Sequence, residues 1–320
     1  MKIKKSLPSV DVIVVTYNNK QVFNECFRTI LDTNYGNVRF LVVDNNTEQN
    51  YVDDFIKNTN KKIIHIKNKI NRGWAGGCNS ALPYINSEYC IFLNDDIKIV
   101  DNEWLKKLVK FSLKNKNCIV GPKLLNKENY PELNITYFSK FFSVANTAAV
   151  FPEKDVIEVP YLGTFLIESK LLKKIGGYRD FLFLYYEDVD ICFRLRLIFE
   201  KKIILLNKIN MIHYHQASVS RTFKNYQVKK FMLRNSFFIF LMFYSKKNII
   251  KFLPTIMLRI LLNVIAYRKP FLILSITKET SSNMKNIIRC RRQLKNKLNF
   301  DDPIFSNDVQ FLKYKKAFRI

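Results

Sequence analysis

Four short segments of this chain carry acids, amides, imidazoles or glycines in patterns that could do chemistry. Asn94-Asp95-Asp96 sets two adjacent carboxylates at the end of an apolar run. Such a pair is costly unless a cation sits beside it, and a hard divalent ion bridging diphosphate oxygens would suit it. Asp-Asp after a strand serves equally as a turn or a helix N-cap. Tyr185-Tyr186-Glu187-Asp188-Val189-Asp190 brings three acids into four residues ahead of a helical pattern. Carboxylates there are favoured by the helix dipole. One of them, kept dry by Leu182, Phe183 and Leu184, would also serve as general base for an attacking hydroxyl.

The third segment, residues 71–79 (NRGWAGGCN), holds three of the eight glycines, and Gly176-Gly177 are two more. Gly76 and Gly77 at a helix start would let backbone approach a ligand closely, and the helix N-terminus favours an anion. Tight helix–sheet packing beneath Trp74 accounts for them equally well. The pattern is neither a Walker loop nor a G-x-G-x-x-G fingerprint. The fourth segment is His213-Tyr214-His215, with two of the three histidines, shortly after a strand pattern. A histidine there would complete a metal site begun by Asp96, or cap and fill the core. His65 lies inside a strand pattern and reads as structural.

These residues need a scaffold that gathers them. Short β-branched runs at 10–16, 39–43, 62–66 and 89–93 alternate with helical spacing at 21–31, 51–57 and 75–84. That rhythm predicts a mostly parallel sheet with helices on both faces. Ligands bind beyond the carboxyl ends of such strands, and those ends carry Thr16-Tyr17-Asn18, Asp44-Asn45 and Asn94-Asp95-Asp96. Further on, helices are expected at 104–113, 170–175 (stopped by Gly176-Gly177) and 188–199, and strands at 117–121 (closed by Gly121-Pro122), 161–167 and 202–206. Residues 124–160 show no period and read as hairpins or loops over the crevice. From Lys229 onward the chain is helical and basic.

Taken together, these segments resemble the family 2 glycosyltransferases of the GT-A fold, and within them the bacterial rhamnosyltransferase-like branch. The likeness rests on residues 12–18 (VIVVTYN), 41–45 (LVVDN), 71–79, 92–97 (FLNDDI), 176–194 (GGYRDFLFLYYEDVDICFR) and 213–218 (HYHQAS), in the family's order over about residues 9–220. The resemblance implies an α/β domain over 1–220 that binds a nucleotide-diphosphate sugar, and a basic helical region over 221–320 for acceptor or membrane association. Thr16, Tyr17 and Asn18 would line the nucleotide pocket with Asp44 on the base or ribose and Asn45 beside it. Arg72, Gly76 and Gly77 would lie near the diphosphate, and Asn94 and Asp95 would flank it. Asp96 and His213 would hold Mg2+ or Mn2+, with a Gln216 where the family's histidine motif carries Gly. Asp188 would be the catalytic base, with Glu187 as the alternative.

The implied reaction is a single, inverting displacement from a donor such as dTDP-rhamnose or a UDP-hexose to a glycan or lipid-linked oligosaccharide in surface polysaccharide synthesis. The chain shows neither the Q-x-x-R-W motif nor the several spans of processive synthases, so few residues would be added per encounter. A nucleotidyltransferase of similar fold would carry a Gly-rich, basic loop after the first strand, where Thr16-Tyr17-Asn18-Asn19 stands instead.

Composition sets the surroundings. The net charge is +26, of which residues 221–320, with 22 basic and four acidic side chains, supply +18. A basic tail on a nearly balanced body suits anionic lipid or nucleic acid. The excess lies outside the acidic crevice and no nucleic-acid module is recognised, so no nucleic-acid partner is expected and a basic binding protein without catalysis is the lesser alternative. Residues 237–244 and 252–267 are apolar, with Lys246, Lys247 and Lys251 between them and Pro254 and Arg259 interrupting the second. That pattern suits helices lying on a membrane surface rather than crossing it; ordinary core packing is the other reading. Six scattered cysteines with no C-x-x-C pair, and no apolar leader over 1–10, point to a reducing, cytoplasmic setting, peripheral at the inner face of the cell membrane.

Overall fold

The structure, a computed structural model, describes residues 7–129, 136–138, 144–146, 154–214 and 225–294. The first β-branched runs form β1 (Val10–Thr16), β2 (Val38–Asp44), β3 (Ile63–Lys67) and β4 (Tyr89–Asn94), followed by β5 (Ile97–Ile99) and β6 (Cys118–Leu125). A two-stranded pair follows, β7 (Thr136–Phe138) with β8 (Val144–Asn146), then β9 (Val156–Glu158), β10 (Leu166–Glu168) and β11 (Lys202–His213). Between them run α1 (Lys20–Leu31), α2 (Tyr51–Lys57), α3 (Gly73–Ala81), α4 (Trp104–Lys114), α5 (Ser169–Ile175) and α6 (Glu187–Phe199). Three longer helices close the described chain: α7 (Asn225–Phe243), α8 (Lys246–Tyr267) and α9 (Phe271–Leu294).

One sheet carries the architecture, in the order β3-β2-β1-β4-β10-β6-β11-β5, with β9 on β11. It is parallel across β3, β2, β1 and β4, and again between β6 and β11. β10 runs antiparallel to both its neighbours, and β5 and β9 run antiparallel to β11. All seven β1 residues are buried because both faces are covered. Val10, Val12 and Val14 point to one core with Phe23 and Phe27 of α1, Tyr51 of α2 and Trp104 of α4. Ile13 and Val15 point to the other, which holds Cys78 of α3, Phe193 of α6 and Phe240 of α7. The C-terminal helices thus share a core with one face of the sheet.

Several elements differ from the sequence-based expectation. β6 does not end at Gly121-Pro122 but continues to Leu125. Opposite Pro122, which lacks a ladder donor, β11 carries a register shift between Leu206 and Asn210. β11 then runs on to His213, so His213 is the last residue of a strand rather than one beyond it. The strand expected over 161–167 is regular only at Leu166–Glu168. The three-residue β5, Ile97-Lys98-Ile99, is too short to show a period and was not expected. Helix α8 passes through Pro254 without a break, and its 22 residues are long and apolar enough, by length and composition, to cross a membrane. The hairpins expected over 124–160 fall largely outside the described residues, as do His215 and Gln216.

Candidate active site

Parallel pairing lines up the carboxyl ends of the first strands. Thr16 is level with Asp44, Asp44 with Lys67, and Val15 with Asn94. The polar residues that follow therefore start from one edge of the sheet. Beyond β4 the chain makes a tight turn through Asp95-Asp96 into β5, and β5 pairs with the end of β11, setting Ile97 opposite His213. This short antiparallel match brings the imidazole back to the acids. His213 Nε2 lies 3.0 Å from Asp96 Oδ1 and 3.3 Å from Asn94 Nδ2. The Asp96 carbonyl takes the backbone N–H of Tyr214 at 3.0 Å, locking the turn to the strand end.

The two acids of that turn have different tasks. Asp95 faces inward: Thr16 Oγ1 donates to its Oδ2 at 2.7 Å and Asn19 Nδ2 to its Oδ1 at 3.1 Å. The Tyr51 hydroxyl is 2.7 Å from Thr16 Oγ1 and takes the Asn19 backbone N–H at 3.2 Å. Burial, aided by the neighbouring Asp96 charge, pushes the Asp95 carboxyl up to about 7. Thr16 is buried and its hydroxyl is committed to this brace, so its side chain supports the strand ends from behind. Asn19 and Tyr51 were missed by motif reasoning. Asn19 follows Tyr17-Asn18 directly, whereas nothing in the sequence around Tyr51 separates it from any core aromatic.

Asn18 adopts a left-handed backbone (φ 48°) and its Oδ1 accepts the Glu48 N–H at 2.8 Å. Tyr17 beside it is half-buried. Asp44 accepts the N–H and hydroxyl of Thr47 at 2.8 and 3.1 Å, with His65 Nε2 at 3.8 Å. Burial alone would raise Asp44, but His65 and Thr47 together hold it below the usual carboxylate range. His65 Nδ1 is also 3.2 Å from Asp53, in keeping with a structural role. Asn45 is a buried hub. Its Nδ2 reaches Asn71 Oδ1 and the Gly73 carbonyl, both at 3.0 Å, and its Oδ1 accepts from Asn68 and from the Arg72 N–H. It shapes the loop before α3 instead of opening toward a ligand.

The glycine-rich segment packs more than it opens. A Cβ on Gly77 would sit 2.7 Å from Val15 Cγ1, and one on Gly76 2.7 Å from Arg72 Cβ. Close packing of α3 on β1 therefore explains Gly77, and the Arg72 side chain folded over the first turn of α3 explains Gly76. The start of α3 is also partly taken: the Ala75 N–H donates to the Phe183 carbonyl at 3.2 Å and the Gly73 N–H to Asn71 Oδ1 at 2.8 Å. Arg72 is held by Asp180 at 2.6 Å and by Ser80 at 3.0 Å, with its side chain still 37% exposed beside α3.

The acid cluster at the start of α6 separates into three roles. Asp190 is fully buried between Arg179 and Arg194, and Arg194 also holds the carbonyls of Ile175 and Gly177 at 2.9 and 2.8 Å. This is structural wiring. Glu187 is buried, its Oε2 has no hydrogen-bond partner, and burial with the adjacent Asp188 charge pushes it well above the usual range. Asp188 is half-buried; one oxygen takes the Val189 N–H at 2.7 Å and the other lies 3.8 Å from the point where a Gly163 Cβ would be. Antiparallel β10 pairs Leu166 with Ile91, so the chain just before it runs back toward the level of Asn94. Asp188 is thereby placed on the same side of the sheet ends as Asn94 to Asp96. Burial pushes its carboxyl up to about 6, opposed by backbone N–H groups, which suits a group that must take a proton near neutral pH.

A divalent cation fits the Asp96–His213 pair. One carboxylate oxygen and one imidazole nitrogen 3.0 Å apart match the edge of an octahedron whose bonds are about 2.1 Å. Among the described residues no third His, Cys, Asp or Glu joins them. Two protein donors leave positions for phosphate oxygens and water, the usual arrangement for Mg2+ at a diphosphate.

Comparisons with known proteins bear on the family and the fold. Residues 11–186, more than half of the chain, match the model of the family described as Glycosyl transferase family 2. A hexosyltransferase of low-salt glycan biosynthesis, Agl10 of Haloferax volcanii, is 23% identical over 249 residues, which are 72% of this chain and 77% of that protein. WfaP of Escherichia coli, a UDP-Glc:alpha-D-GlcNAc-diphosphoundecaprenol beta-1,3-glucosyltransferase, is 30% identical over 87 residues; the match spans 27% of this chain and only 35% of WfaP. The mannosyltransferase PcManGT of Pyrobaculum calidifontis, solved with GDP-Man and Mn2+, shares the fold with a TM-score of 0.55 at 13% identity, over 93% of this chain and 89% of that one.

Proposed function

The chain belongs to glycosyl transferase family 2, a glycosyltransferase using nucleotide-sugar donors in glycan biosynthesis, and on that premise we propose that it is an inverting, metal-dependent, non-processive enzyme acting on a glycan or lipid-linked acceptor. The observation that carries this reading is the Asp96–His213 pair, 3.0 Å apart at the sheet edge, on the side where Asp188 stands half-buried with its carboxyl pushed up to about 6.

Asp96 and His213 would hold Mg2+ or Mn2+, which when bound neutralises the charge developing on the departing nucleotide diphosphate. Asp95, buried behind Asp96 and fixed by Thr16 and Asn19, keeps the turn from yielding. Asp44, Tyr17 and Asn18 stand at the ends of β1 and β2, where the nucleoside binds in this reading. Arg72 supplies positive charge beside them. Asp188 takes the proton of the acceptor hydroxyl as that oxygen attacks the anomeric carbon in line with the departing diphosphate. Positioned general bases contribute about 10²–10⁴ in rate.

Residues 1–220 would form the donor-binding unit and 221–320 the acceptor or membrane-associated one. Ile250, Leu258, Leu262 and Ile265 lie on one face of α8 and are 54–75% exposed, while Ile256, Ile260 and Val264 are buried against the body. An exposed apolar stripe rimmed by Lys246, Lys247 and Lys251 suits an anionic bilayer surface at the cytoplasmic face, where a lipid-linked acceptor would be met. WfaP's named acceptor supports the lipid-linked class, and the donor is dTDP-rhamnose or a UDP-hexose. Release of nucleotide diphosphate from UDP-, dTDP- and GDP-sugars, with Mn2+ or Mg2+ and with lipid-linked acceptor, tests the reading. One donor turned over and silenced by EDTA is expected; metal-independent turnover would overturn the metal assignment, and absence of both turnover and donor binding would overturn the enzyme reading.

A further inference from the structure

Ahead of Asp188, between the single turn at Asp180–Leu182 and α6, three non-glycine residues adopt left-handed backbone within four positions: Phe183 (φ 61°), Tyr185 (φ 69°) and Tyr186 (φ 68°). The Leu184 N–H folds back on the Leu182 carbonyl at 2.6 Å. Large aromatic side chains resist this conformation, which persists only where the surroundings over-determine it.

Two neighbouring side chains of α7 supply the determination. Asn235 Nδ2 donates to the carbonyls of Leu182, Leu184 and Tyr185 at 2.7, 2.8 and 2.7 Å, so its two protons are shared among three acceptors. Arg234 Nη2 donates to the same Leu182 carbonyl at 2.9 Å, and its Nε donates to Asn235 Oδ1 at 2.9 Å, fixing which way the amide points. Asn235 is fully buried and Arg234 6% exposed. Glu279 of α9 anchors the guanidinium and also takes Lys230 Nζ at 2.8 Å. On its far side the loop meets α3, where the Phe183 carbonyl and ring occupy the space a Gly73 Cβ would need. Burying a guanidinium and an amide against carbonyls is a costly way to fill a core unless the geometry they impose matters.

We infer that Arg234 and Asn235 are positioning residues for sugar transfer: from the C-terminal helices they hold the left-handed 183–186 segment, and so place the Asp188 carboxylate, with Glu279 holding Arg234. This rests on Asp188 being the base, and a displacement of a catalytic group by about 1 Å can cost up to about 100-fold in rate.

The test uses the full chain, with Asn235→Ala and the milder Glu279→Gln. Steady-state transfer and amide hydrogen exchange of peptides covering 182–188 are read in parallel. In Asn235→Ala, kcat falls about tenfold or more while donor KM moves less than about threefold, and exchange rises in 182–188 but not in β1 or β4. Glu279→Gln shows the same pattern at about two- to fivefold in kcat. Should Asn235→Ala fail to fold, Glu279→Gln carries both readouts. Exchange in 182–188 unchanged in the folded variants, or raised there with wild-type kcat, overturns the inference while leaving the proposed function standing. A wild-type chain that transfers no sugar overturns the proposed function and the positioning role together, and exchange then reports the brace as structural alone.

Discussion

Asp96 and His213 meet because of a three-residue strand. β5 follows Asp96 directly in the chain, and its pairing with the end of β11 sets His213 Nε2 3.0 Å from Asp96 Oδ1. A metal held by this pair, as proposed, would depend on both donors, since neither alone makes a chelate. His213→Ala and Asp96→Asn are each expected to lower kcat/KM by about 10²–10⁴, the scale of several kcal/mol of lost charge stabilisation. Each also raises the Mn2+ concentration needed for half activation. A metal titration unchanged in His213→Ala would remove that residue from the site.

The pH dependence follows from Asp188. Its carboxyl is pushed up to about 6, and a base works only when ionised. Transfer at low substrate should fall about tenfold per pH unit below about 6 and level off above it. The folded state holds this proton more tightly than the unfolded chain, whose ordinary value is 3.8. Stability from this group is thus full below that value and is lost as pH rises through about 6. Asp188→Asn should therefore melt no lower than the wild type at about pH 7.5 by calorimetry. A flat rate profile from about pH 5 to 8 would contradict the assignment.

Asp190, two residues on, should behave in the opposite way. It is fully buried between Arg179 and Arg194, and removing it strands two guanidinium groups. Asp190→Ala should cost about 3–5 kcal/mol of stability, visible as a lower denaturant midpoint. The molecules that remain folded should keep transfer activity well above that of Asp188→Asn.

Gly73 offers a backbone test. It has φ +66°, and a Cβ there would lie 2.3 Å from the Phe183 carbonyl oxygen. Gly73→Ala forces the α3 loop away from the segment leading to Asp188 and adds about 1–2 kcal/mol of left-handed strain. A loss of both melting temperature and kcat is expected, whereas Gly36→Ala, which meets nothing within 4 Å, should leave both unchanged.

The strand ends were legible in the sequence because buried parallel strands read as β-branched runs and because Thr16, Asp44 and Asn94 each follow one. The candidates Asp96, His213 and Asp188 stood out in the sequence as chemistry-bearing types in a family order. What brings them together did not. β5 is too short to show a period, and β11 hides its full length behind polar Asn207, Lys208 and Asn210 around its register shift. The motif reading also blurred function with support. Thr16, Asn45, Gly76 and Gly77 stand in motif segments, yet their contacts brace the site from behind. The partners of the 182–186 loop, Arg234, Asn235 and Glu279, lie far along the chain in helices whose sequence carries no motif that sets these three apart from their neighbours.

The exposed face of α8 predicts lipid binding. Leu258→Glu with Leu262→Glu places two charges in the stripe that would meet the bilayer. The pair should abolish flotation with phosphatidylglycerol vesicles and leave turnover of a soluble acceptor analogue unchanged. Undiminished flotation would mean that this stripe is not the lipid-facing surface.

The central claim is that Asp188 takes the acceptor proton. It is tested most directly by measuring donor affinity and transfer rate side by side in Asp188→Asn. The account predicts that calorimetric binding of the nucleotide sugar with Mn2+ stays within about threefold of wild type while kcat falls about 10²–10⁴-fold. Loss of donor binding in step with loss of transfer, or transfer that survives the substitution, would contradict it.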